Sequence, residues 1–91
     1  MKGTLVVRRD ADGDTKTRGL EVFVDGERHA DLPFGKSLET DLDPGEHEVM
    51  VTNHDQAEKL ALVLREGETA VFQGANVASG SSTTVTLQRL Q

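Results

Sequence analysis

Cysteine, tryptophan and tyrosine are absent from this 91-residue sequence, and only three Phe are present. Without Cys there can be no disulfide, no thiolate nucleophile and no Cys-ligated zinc or iron–sulfur cluster. Without Trp or Tyr there are none of the rings on which sugar-binding sandwiches and single-strand nucleic-acid readers usually stack their ligands. Positive charge is scarce too. Ten Lys and Arg against sixteen Asp and Glu leave a formal net charge of −6, the reverse of what phosphate neutralisation demands, so no nucleic-acid partner is expected. The longest unbroken apolar run is Leu60 to Leu64. That is far short of the ~20 residues of a membrane helix, so no direct membrane insertion is expected. Residues 1–91 have room for a single domain. At this size a folded surface of ~5,200 Å² is expected, enough for one thin core and no deep, lidded pocket.

What is present is regular punctuation. Asp12-Gly13, Asp25-Gly26, Pro44-Gly45, Glu66-Gly67 and the Gly74 to Ser82 stretch divide the chain into short pieces. Between them the apolar period is two, the signature of half-buried strands. Leu5 and Val7 share a face, as do Leu20, Val22 and Val24, then Leu38 and Leu42, and Val49 and Val51. Further on, Leu60, Leu62 and Leu64 alternate with Ala61 and Val63, Ala70 and Phe72 flank Val71, and Val85 and Leu87 close the series. This gives seven strands, or eight if Arg28 to Asp31 forms a short return. Asp25-Gly26 fits a two-residue type I′ hairpin, and Asp43-Pro44-Gly45-Glu46 fits a type II turn. Ala57, Leu60, Ala61 and Leu64 also fit a helical stripe, but Leu62 and Val63 blur it and Gly67 follows closely, so strand is preferred. The spacing predicts an all-β fold, an antiparallel two-sheet sandwich of 7–8 short strands. Asp10 to Arg18 and Gly74 to Ser82 read as irregular connectors.

The run Arg18-Gly19-Leu20-Glu21-Val22-Phe23-Val24-Asp25-Gly26-Glu27 resembles the opening of a PEGA domain: a Gly turn, an alternating Val strand, then Asp-Gly and a polar residue. Leu42-Asp43-Pro44-Gly45-Glu46-His47-Glu48-Val49 is similar to the family's second hallmark, a Pro-Gly turn leading through a charged residue and His into a β-branched strand. The resemblance implies a small transthyretin- or carboxypeptidase-regulatory-like β-sandwich. Such a module is accessory and non-enzymatic, commonly carried by envelope proteins, and has no catalytic residues to transfer. With Met1 first and no export signal, the chain as written is expected in the cytoplasm. Excised from a longer envelope protein, it would lie outside the membrane.

Asp10, Asp12 and Asp14 place three carboxylates at alternate positions of the first loop, with Glu21 eleven residues after Asp10. Hard Ca²⁺ is bound by such oxygen clusters, so this loop is the candidate metal site and Ca²⁺ the one candidate cofactor. Thr15 stands where a calcium loop has Gly, and Lys16 and Arg18 add positive charge, so the competing reading is a solvated acidic turn. His29, His47 and His54 have no metal-ligand spacing. Because His47 is in register with Val49 and Val51, it is expected to cap the core edge through a hydrogen bond. Gly80-Ser81-Ser82 lacks the strand-to-helix setting of a nucleophile elbow, so no catalytic residue is assigned. Phe72 is expected in the core. Phe23, Phe34 and Met50, if brought together outside it, would form an apolar patch for a protein partner, with Arg28 beside them. The sequence therefore reads as a non-enzymatic interaction or structural module, binding a protein partner or a second copy through an edge strand or this patch. The alternative is a Ca²⁺-stabilised surface or adhesion-type module.

Overall fold

The computed structural model describes residues 2–15, 19–54, 56–80 and 82–90. Among them are eight strands and no helix: β1 (Gly3–Arg8), β2 (Glu21–Val24), β3 (Glu27–Asp31), β4 (Ser37–Leu42), β5 (Gly45–Thr52), β6 (Ala57–Leu64), β7 (Thr69–Ser79) and β8 (Ser82–Arg89). They form two four-stranded sheets, one in the order β4-β1-β7-β8 and the other β3-β2-β5-β6. The accessible surface is 5238 Å², close to the ~5,200 Å² that chain length alone leads one to expect.

Alternation builds the core. Leu5 and Val7 of β1, Ala70 and Phe72 of β7 and Val85 of β8 face Val22 and Val24 of β2, Val49 and Val51 of β5 and Leu62 and Leu64 of β6, all buried. Leu38, Leu42, Leu60 and Leu87 pack around them, half-buried. At roughly 1.5–3 kcal/mol per buried side chain, this thin aliphatic layer is the main stabilising term.

The pairing is antiparallel except in one place, where β1 and β7 run parallel, Thr4 opposite Thr69 and Arg8 opposite Gln73. Sequence patterning cannot show this, because period two is the same in either direction. The Asp25-Gly26 hairpin has φ of 53° and 83°, positive at both positions as a type I′ turn requires. The Pro44-Gly45 bend is more open than a type II turn, since Gly45 already starts β5 at φ 131°.

One expectation is corrected. Gly74 to Ser82 is not a flexible connector: β7 continues through it to Ser79, and β8 begins at Ser82. Its small residues mark close approach of the sheets rather than a loop. A Cβ on Gly74 would lie 3.2 Å from Leu20 Cδ2 and 3.4 Å from Val51 Cγ1, so glycine lets β7 sit directly on β2 and β5.

Candidate functional site

At one end of the sandwich three polar residues take inward positions: Arg9 after β1, Asn53 after β5 and Asn76 within β7, all buried. Arg9 Nε donates to Asp14 Oδ2 at 2.9 Å and Nη2 to Oδ1 at 3.1 Å, while Nη1 donates to the Leu32 carbonyl at 2.8 Å. Asn53 Nδ2 donates to Asn76 Oδ1 at 3.2 Å, and Asn76 Nδ2 donates to the Gly19 carbonyl at 3.3 Å. Backbone bonds tie the first loop to β7: Thr15 N–H donates to Asn76 O at 2.8 Å, and Asp14 bridges to Val77.

This network disperses the candidate calcium ligands. Asp14 is 6% exposed, and its two oxygens form a bidentate pair with Arg9. Recruiting it to a cation would break both of its bonds to a buried guanidinium. Asp10 accepts from Arg8 and Gln73 at the surface. Those bonds hold its carboxyl below the ordinary carboxylate range, that from Gln73 most strongly. Asp12 is exposed at the turn. Among the described residues no group of three or more His, Asp or Glu is arranged to hold a metal ion. Lys16 and Arg18 lie outside the described residues.

At the opposite end, His47 joins two turns. Its Nδ1 donates to Asp25 Oδ2 and its Nε2 to the Asp43 carbonyl, both at 2.6 Å. A carboxylate and a carbonyl only accept, so this arrangement favours the imidazolium, in which both ring nitrogens donate. The Asp25 bond, then the Asp43 carbonyl, raise the His47 pKa above its ordinary value; His47, then the Glu48 N–H, lower that of Asp25. The expected edge-capping role of His47 is thus met by two hydrogen bonds. His54, at φ 76°, pairs with Glu21 at 2.7 Å; its neighbour Asp55 lies outside the described residues.

The candidate partner residues are partly brought together. On the outward face of the second sheet, Phe23 stands opposite Met50 on one side and Arg28 on the other, and Met50 stands opposite Lys59. The result is a row Arg28–Phe23–Met50–Lys59 with its apolar pair half-buried in the middle. Arg28 is engaged by Asp31 at 2.7 Å and Glu21 at 3.4 Å. Phe34 is not on these strands: it lies, half-buried, in the crossover from β3 to β4, where the next residue, Gly35, donates its N–H to the Arg9 carbonyl at 2.7 Å.

The four outer strands differ in how far they are open. In β3 the register slips between Val22 and Phe23, leaving His29 as an extra residue, and Glu27, Arg28 and Asp31 charge the strand. Glu39 and Asp41 charge β4. In β8 the Leu90 N–H donates to Val71 O. By the alternation of antiparallel bonds, Val85 and Leu87 then direct their backbone groups outward, but Val85 is buried and β8 packs against β5 and β6. Bulges, charges and cover are the devices by which sheet edges avoid stray pairing.

β6, which packs against β8 in turn, is neither bulged nor charged over its second half. It pairs with β5 in unbroken register from Ala57 to Leu64, and from Leu60 onward it carries no charge. Asn53 N–H donates to Gln56 O, and Asp25 N–H donates to Glu48 O. Both bonds set the same phase: the even residues of β6 bond to β5, while Ala57, Lys59, Ala61 and Val63 turn their N–H and C=O groups to the open side. The side chains of those four residues lie on the solvent face, Val63 60% exposed. Neither the distinctness of this edge nor the buried Arg9–Asp14 pair was found from sequence. Arg9 shares the parity of Leu5 and Val7, and a charged residue in an inward position is the signal that calls for a buried counter-ion. No family model matches the chain, and no curated protein matches it.

Proposed function

We propose that this chain is a non-enzymatic interaction module that binds a protein partner by adding an extended segment to the open edge of β6. The observation that carries the reading is the contrast among the four outer strands: β3 is bulged and charged, and β4 is charged. Of the regular pair β6 and β8, which pack against each other, β6 carries the most exposed large apolar residue described, Val63, in the row that turns its main-chain groups outward. Strand addition uses main-chain hydrogen bonds for affinity and alternate side chains for specificity. The groups presented by Lys59, Ala61 and Val63 supply the first. The row Arg28–Phe23–Met50–Lys59, which ends at this edge, supplies a neighbouring apolar and cationic surface for the second. The resemblance to PEGA domains in the Asp-Gly and Pro-Gly turns agrees with an accessory, partner-binding role.

Selection from a random-peptide display library tests the reading, with Ala61→Pro as the counter-screen. Ala61 N–H points away from β5, so proline there removes a donor from the open edge without removing a bond of the sheet. The expected outcome is enrichment of peptides with alternating apolar residues that no longer bind Ala61→Pro. Absence of binders, or binders indifferent to Ala61→Pro, would overturn it.

A further inference from the structure

The open edge of β6 is complementary to itself. We infer that its occupant is a second copy of this chain, joined by antiparallel β6–β6 pairing about a two-fold axis at Ala61; this rests on the strand-addition reading above.

Charge, phase and the cover of Val63 choose the register. A two-fold axis normal to a sheet keeps inward residues inward, so even positions of β6 must face even positions of the copy, and odd face odd. Centring on Leu62 would set Glu58 against Glu66 and Lys59 against Arg65, two like-charge oppositions. Centring on Leu60 opposes no like charges either, but sets only the methyl of Ala57 against the exposed Val63. Centring on Ala61 sets Lys59 against Val63, Ala61 against itself, Leu60 against Leu62 and Glu58 against Leu64, again with no like charges opposed and with the longer side chain over Val63. The residues that meet as Lys59–Val63, Ala61–Ala61 and Val63–Lys59 are those whose main-chain groups are directed outward, so each pair exchanges two hydrogen bonds.

The side chains fit this register as well. The small methyl of Ala61 lies on the axis, where a larger group would meet its own image. The aliphatic stem of Lys59 lies across Val63 of the copy, covering the most exposed large apolar residue described. Val63 is itself paired with Glu46 of β5. The Lys59 ammonium therefore reaches toward Glu46 of the copy, two strand spacings or about 10 Å away, within the combined span of the two side chains. That cross-pairing occurs twice by symmetry. Arg65 and Glu68 limit the ladder at its end. The Arg65 N–H is already taken by the Glu68 carboxylate at 2.9 Å, and its carbonyl by the Glu68 N–H at 3.0 Å. The pairing is thus held to the uncharged stretch.

Sedimentation equilibrium of the intact chain tests this, alone and as Ala61→Lys and Ala61→Pro. Ala61→Lys places two like charges on the axis while leaving an exposed side chain of the folded monomer exposed. The expected result is twice the chain mass at high protein concentration for the parent. Both variants are expected at the single-chain mass with an unchanged circular dichroism spectrum; should the proline variant lose its fold, the lysine variant decides. A parent that stays at single-chain mass throughout overturns the second copy as occupant, and leaves peptide selection to judge the edge itself. A dimer that survives Ala61→Lys overturns the Ala61 axis.

Discussion

The two ends of the sandwich are each fastened by an ion pair, and the two pairs differ in almost everything but charge. At one end Arg9 and Asp14 are sealed from water and bidentate, with the Leu32 carbonyl taking a further guanidinium N–H. At the other, His47 holds Asp25 and the Asp43 carbonyl where the Asp25 side chain is 48% exposed. Desolvation makes the first pair costly to form and far more costly to break singly. The second stays in reach of solvent protons and salt, so it is weak and adjustable. Burial, more than the identity of the charges, decides which fastener locks and which responds to conditions.

The largest expected effect follows from halving the sealed pair. Arg9→Met takes the bidentate guanidinium from the buried Asp14 and should cost about 3–5 kcal/mol in urea unfolding. Arg9→Met with Asp14→Leu should recover much of that loss, because neither charge then remains inside. A single Arg9→Met costing under ~1 kcal/mol would break the contrast between the two ends.

An intermediate effect belongs to the exposed end and depends on pH. His47 is raised above its ordinary 6.5, so its contribution is complete below that value and is lost as pH rises through the folded-state pKa. Asp25 is lowered below its ordinary 3.8, so its contribution is present above that value and disappears as pH falls through the folded-state pKa. The end is therefore tightest between about 4 and 6.5, and Tm should decline from pH 6 to pH 8. His47→Asn should flatten that decline. An equal slope in both proteins would assign the titration elsewhere.

The smallest expected effect is none. Millimolar Ca²⁺ should leave Tm unmoved, because a ligand that binds only the native state must raise it and Asp14 is already committed to Arg9. A Tm rise of several degrees, abolished by Asp12→Asn, would reopen the first loop as a metal site.

Much of the architecture was legible because every inward aliphatic sits two residues from the next. Leu5 and Val7, Val22 and Val24, Val49 and Val51, and Leu62 and Leu64 announce the strands and their buried faces. Asp25-Gly26 announces the hairpin through backbone chemistry that few other pairs tolerate. Parity misled where small residues served packing: Gly74 and Ala75 resemble a loop, yet they let two layers approach. Pairing direction and strand order were illegible, since they depend on contacts between residues far apart in the chain. So was the difference between β3 and β6 as edges, which arises from a register slip at His29 and from the phase of hydrogen bonds. For the first loop, the inward parity of Arg9 was the clue to its bond with Asp14, and composition alone did not show it.

The parallel pairing of β1 with β7 bears on how the chain reaches this state. β1 lies between β4 and β7, and residue 4 meets residue 69, so β1 meets its second neighbour only across the five strands that separate it from β7 in the chain. Closing so long a loop costs entropy before it returns any contact, which predicts slow, all-or-none acquisition of structure. Truncation after Leu64 would leave β1 with β4 as its sole sheet neighbour, too little to organise the half-made domain.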